Sequence, residues 1–154
     1  MFKNILLITL LMLTMSCGYE PTYSKKNRID TGNISIGKMT FIGDREINIK
    51  IKEILSNYSN AKKEKNYTLQ IESQSLKTTI GKDSKGDPSV FNLSIKTTIQ
   101  VKRGDSINSQ IIFNEGLKYN NNKDKFEIKR LEREIKRNLA QTITNNLIIK
   151  LSNY

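Results

Sequence analysis

The chain has 154 residues, 36% of them hydrophobic and 27% charged, and a formal net charge of +11. That length predicts one domain, and apolar residues recurring in periodic patterns along it predict a globular one. With no histidine and a single cysteine, the sequence excludes hydrolase triads built on histidine, intrachain disulfides and cysteine-rich metal sites. The positive charge favours anionic partners such as phosphate headgroups or lipid phosphates, although the same richness in Lys, Asn and Ile is what a genome poor in G and C encodes.

Met1 to Asn4 carry one cation, Lys3, and residues 5–13, ILLITLLML, form an apolar run broken only by Thr9. The run has the size of a signal-peptide core and falls short of the roughly 20 residues a bilayer-spanning helix needs. Thr14-Met15-Ser16-Cys17 resembles the lipobox of bacterial lipoproteins, with Thr14 standing where Leu is usual and Leu13 one place earlier. The resemblance implies a signal peptide over 1–16, acylation of the Cys17 thiol and cleavage before it. Several acyl chains would anchor the protein stably, since each buried CH2 contributes about 0.8 kcal/mol. Gly18 stands where Asp resembles an inner-membrane retention signal, which points to the outer membrane.

Residues 17–33 are polar and aperiodic and predict a flexible tether. Ile34, Ile36, Met39 and Phe41 then predict a strand whose missed beat falls at Gly37, the mark of a bulge. Asp44 is an N-cap residue, and Ile47, Ile51, Ile54, Leu55 and Tyr58 form the stripe of a helix over 45–58. Tyr67, Leu69 and Ile71 alternate in a second strand whose phase weakens beyond Ser73. Phe91, Leu93, Ile95, Ile99 and Val101 make a third, interrupted only by Thr97. Arg103-Gly104-Asp105-Ser106 spells an adhesion tripeptide but has the composition of a tight turn, after which Ile111, Phe113, Leu117 and Tyr119 continue as the second arm of a hairpin. From Lys125, Leu131, Ile135, Leu139, Ile143, Leu147 and Leu151 recur at four-residue steps, a stripe that drifts by roughly 40° per step on one long helix. Residues 34–154 therefore predict a single α+β domain, a two-layer sandwich of a four-stranded mixed or antiparallel sheet with two helices on one face, in the order β-α-β-β-β-α.

Chemistry-bearing motifs fail on spacing. Gly81 to Gly86 has the glycine spacing of a phosphate-binding loop but continues with Asp87-Pro88 in place of Lys and Ser or Thr. Glu132 and Glu134 lie about 200° apart on a helix and cannot converge on one substrate. No Ser-x-x-Lys stands at a strand-to-helix junction, and aromatic residues are too few for a nucleic-acid stacking surface. The expectation is a binding protein, with no enzymatic activity, cofactor, metal or nucleic acid. Two basic features remain. Lys125, Lys129, Arg130, Arg133, Lys136 and Arg137 fall within about 140° of arc on the last helix, opposite Leu131 and Ile135, with Glu132 to Lys136 spaced as an i,i+4 pair. The other is a long loop from Lys77 to Asp87, carrying Lys77, Lys82 and Lys85 at a hairpin end where binding residues often sit.

Cys17-Gly18-Tyr19-Glu20-Pro21-Thr22-Tyr23 is similar to the Cys-Gly-aromatic-x-Pro-x-Tyr opening of the LPS-assembly lipoproteins (LptE-type) of alphaproteobacteria. Further likenesses are the strand with Ile34 and Ile36 leading into the Arg45 to Leu55 helix, and Tyr119-Asn120 ending a strand before the final helix. The resemblance implies a lipoprotein of the outer membrane, facing the periplasm, that plugs the LPS-transport β-barrel and contacts lipopolysaccharide through basic residues, for which Lys77, Lys82 and Lys85 are the candidates. A rival reading is a structural lipoprotein of another envelope assembly machine.

Overall fold

The computed structural model describes residues 34–59, 65–104 and 106–153. The expected signal peptide over 1–16, the Cys17 lipidation site and the tether of 17–33 lie outside the described residues.

β1 (Ile34–Gly43) contains the expected bulge, with the register against its neighbour slipping between Ile36 and Lys38. The slip changes the parity of the inward positions, so Ile34 and Ile36 before it and Met39 and Phe41 after it all face the core. α1 (Arg45–Leu55) starts at Asp44, whose Oδ1 accepts from the Glu46 and Ile47 amides, at 3.0 and 3.4 Å. It stops earlier than its apolar spacing predicts. Ser56–Tyr58 form a 3-10 turn, and the Ser56 hydroxyl donates to the Lys52 carbonyl at 2.7 Å, drawing in the last turn.

β1 runs parallel to the following strand, β2 (Lys65–Lys82), because a helical crossover separates them. β2 pairs antiparallel with β3 (Pro88–Arg103), and β3 with β4 (Ser106–Asn120), in the spatial order β1-β2-β3-β4. Arg103 pairs with Ser106 across a turn in which Gly104 has φ +69°, as the Gly-Asp pair predicts. One rung runs Phe41, Ile71, Ile99, Ile111 across the whole sheet. Glu72, Gln74, Lys96, Thr98 and Gln110 line the opposite face.

α2 (Lys125–Ser152) begins at Asp124, whose carboxylate caps the Phe126 and Glu127 amides. Its buried residues depart from strict four-residue steps: Ile128, Ile135, Ala140, Ile143, Thr144, Leu147, Ile148 and Leu151 face inward, while Leu131 is 37% exposed. A stripe drifting by about 40° per step cannot keep one face on a sheet over seven turns, so three-residue steps correct it. Ile47, Ile51 and Leu55 of α1 join Ala140, Ile143 and Leu147 of α2 over Leu69, Ile71, Ile95 and Ile99 in one core, while Leu93, Tyr119, Ile128 and Ile135 form a second cluster. The α+β sandwich of β-α-β-β-β-α order is thus the observed architecture.

Candidate functional site

The segment expected to be a long loop is mostly strand. β2 continues to Lys82 and β3 begins at Pro88, so Lys77 is a ladder residue paired with Leu93, and only 83–87 form the turn. The weakened alternation after Ser73 hides this, because residues 76–80, toward the far end of the hairpin, are exposed on both faces and their pairing needs no apolar side chains. The turn is tight. The Gly86 amide donates to the Asp83 carbonyl at 3.0 Å, the Asp83 amide to the Asp87 carbonyl at 2.8 Å, and Gly86 takes φ +88°, a type I turn closed by a glycine bulge. The Asp83 carboxylate accepts from the Lys85 and Asp87 amides, both at 2.9 Å.

The three candidate lysines therefore do not converge. Lys82 and Lys85 are exposed at the tip, while Lys77 lies five residues back, about 17 Å along an extended strand. Its ammonium is already engaged: 2.6 Å from Glu132 Oε1 and 3.9 Å from the centre of the Phe91 ring. The Tyr119 hydroxyl donates to the same Glu132 oxygen at 2.5 Å. Burial works against the Glu132 charge, but the bonds from Lys77 and Tyr119 outweigh it and hold the carboxyl below its ordinary range; burial and that neighbouring carboxylate push the Tyr119 phenol well above its own.

Lys136 is diverted likewise. The expected i,i+4 pair with Glu132 does not form; instead Lys136 Nζ donates to Asp44 Oδ2 at 2.7 Å, with Glu46 Oε2 at 3.7 Å. The two carboxylates and two lysines sort by tertiary geometry, which sequence separations of 55 and 92 residues conceal. Asp44 is the centre of a polar knot. Its Oδ2 also accepts from the Ser75 hydroxyl at 2.7 Å, its amide donates to the Ser73 carbonyl at 2.9 Å, and the buried Ser73 hydroxyl donates to Asn48 Oδ1 at 2.7 Å. Gly43, at φ +97°, precedes it where a Cβ would stand 1.9 Å from the Ser73 oxygen. Burial raises the Asp44 pKa, but hydrogen bonds from Lys136, Ser75 and the Ile47 amide more than offset it, leaving the carboxyl below its ordinary value.

Between α1 and α2 lies an open groove of about 430 Å³ lined by Ile49, Lys50 and Glu53 on one side and Arg130, Arg133 and Arg137 on the other, with Glu46 and Glu134. Lys50 is paired with Glu53 and Arg130 with Glu127; Arg133 and Arg137 have no ion pair among the described residues. Phe126, on the same side of α2 by its angular position, is 84% exposed. Among the described residues no three acidic or cysteine side chains gather as a metal cluster, and no helix is long and apolar enough to cross a membrane.

No family model matches the chain, and no curated protein sequence does. Solved structures do. Rare lipoprotein B of Shewanella oneidensis superposes on 76% of this chain and 98% of its own, at 13% identity and a TM-score of 0.57. The fold is one that bacterial lipoproteins use. A minor lipoprotein of Acinetobacter baumannii (17% identity, 73% of this chain and 91% of its own, TM-score 0.52) and an uncharacterized lipoprotein B of Nitrosomonas europaea (12%, 81% and 90%, TM-score 0.51) have it as well. At these identities the likeness is one of fold.

Proposed function

We propose that this chain is an outer-membrane lipoprotein, anchored by acyl chains on Cys17, that seats in and stabilises the LPS-transport β-barrel and assists lipopolysaccharide assembly, without catalysing a reaction. The observation that carries the reading is the coincidence of two independent features. A lipobox-like Cys17 lies upstream of a domain whose fold is shared with bacterial lipoproteins over nearly the whole length of one of them. A rigid sandwich with two exposed lysines at its hairpin tip suits a plug that touches lipid phosphates. Lys82 and Lys85 are the contacts this reading favours, because Lys77 is held by Glu132.

The test is a pull-down of the tagged protein from detergent-solubilised envelopes, with Cys17→Ala beside it and metabolic labelling with palmitate in parallel. Palmitate on the wild type alone, with co-purification of a large barrel of the LPS-transport type, is the expected result. Label on the wild type with other envelope proteins recovered would replace the barrel by another assembly machine. Absence of label would remove the anchor from the reading.

A further inference from the structure

Neither Glu132 nor Lys136 faces outward from α2 as a free charge, because each is paired with another element. Glu132 turns inward to Lys77 and Tyr119, and Lys136 turns toward Asp44. Lys129, Arg133 and Arg137 then stand at successive i,i+4 positions, and none has an ion pair among the described residues. Like charges at that spacing destabilise a helix by about 0.2–0.5 kcal/mol per pair, and Glu46 and Glu134, which line the same groove, form no ion pair with the row. At the start of the same face stands Phe126, the most exposed large hydrophobic side chain among the described residues, and across the groove stands the half-exposed Ile49. An apolar ring beside a row of cations matches a layer of anionic headgroups, where guanidinium groups meet phosphates and an aromatic ring enters the interface.

We propose that the outward face of the first half of α2, from Phe126 to Arg137, is a docking surface for an anionic phospholipid layer, with Lys129, Arg133 and Arg137 on the phosphates and Phe126 inserted. The groove beside Arg133 and Arg137 is open to solvent and has room for a headgroup. This surface is separate from the hairpin tip, and it requires neither the barrel partner nor acylation at Cys17. It would lay the helical layer against the membrane and leave the opposite face of the sheet, lined by Glu72, Lys96 and Gln110, turned away from it.

Flotation of the full chain carrying Cys17→Ala, with vesicles of phosphatidylcholine alone or mixed with phosphatidylglycerol, tests the proposal. The N-terminal apolar segment is common to every variant, so dependence on headgroup charge isolates the surface. Removing a cation at a membrane surface costs about fivefold in binding, so Arg133→Gln/Arg137→Gln is expected to weaken binding to the anionic vesicles by more than tenfold. Neither arginine has an ion pair to lose, so the variant's melting temperature should match the parent's. Lys82→Gln/Lys85→Gln should bind as the parent does. Phe126→Trp, in a chain with no other tryptophan, should shift its emission to the blue on anionic vesicles only. Equal binding by the arginine variant, or loss of binding in the tip variant instead, overturns the proposal; an unshifted emission from the Phe126→Trp variant overturns the insertion of the ring. Because barrel recovery is measured separately, a failure here leaves the plug reading standing.

Discussion

Asp44 joins three elements through one carboxylate, and removing its charge while keeping its shape measures what the knot contributes. Asp44→Asn retains a good N-cap for the Glu46 and Ile47 amides but gives up the ion pair with Lys136. The side chains of Asp44 and Lys136 are 15% and 20% exposed, so the pair is neither a solvated surface bridge nor a fully dry one. A charge-assisted bond of about 1.5–3 kcal/mol, discounted for that access of water, leaves about 1–2 kcal/mol. Asp44→Ala also removes the cap, worth about 1 kcal/mol, for a total of about 2–3 kcal/mol and a melting point lower by roughly 8–12 °C. The Asp44 carboxyl is held below its ordinary value near 3.8, so its contribution is complete above that pH and fades as pH falls through the lower native value. Urea unfolding of wild type, Asp44→Asn and Lys136→Met, with the double variant closing a cycle, is therefore run from neutral pH down to about pH 3. The gap between wild type and Asp44→Asn should narrow in acid. A cost below about 0.5 kcal/mol, a gap unchanged across the range, or an equal cost with and without Lys136 would refute the account.

The other expectations follow from the same geometry. Gly43→Ala combines a left-handed φ with a Cβ 1.9 Å from the Ser73 oxygen and should cost about 3 kcal/mol or more in chemical denaturation. Thr97 is wholly buried, and its hydroxyl has no partner among the described residues. Thr97→Val should therefore raise stability by about 1 kcal/mol, read as a higher midpoint at unchanged m-value. Glu132→Gln leaves Lys77 without its carboxylate and should cost about 1 kcal/mol at neutral pH. Because the native Glu132 carboxyl lies below its ordinary 4.5, the difference from wild type should shrink as acid protonates it.

Local patterns carried most of the architecture. Alternation located the core strands, Asp44 marked a helix start, and Gly37 marked a bulge, because each depends on neighbours within a few residues. α1 ends before its apolar spacing does, because that spacing runs on through Tyr58, while the Ser56 hydroxyl that bonds back to Lys52 leaves no trace in periodicity. The outer half of the β2–β3 hairpin looks like loop in the sequence because strand pairing there rests on backbone hydrogen bonds that any side chains permit.

The cationic face of α2 was visible as an angular cluster, but which of its charges are spent was not. By itself the sequence determined the order of elements, the inward faces of the core strands and of α1, and the lipobox-like cysteine, all of which arise from residues close in the chain. Only the tertiary structure decided that Lys77 belongs to Glu132 and Lys136 to Asp44, and that Lys129, Arg133 and Arg137 form no ion pair among the described residues. Ion pairing follows distance in space, and packing a helix across a sheet brings together carboxylates and lysines that no periodicity of the chain relates.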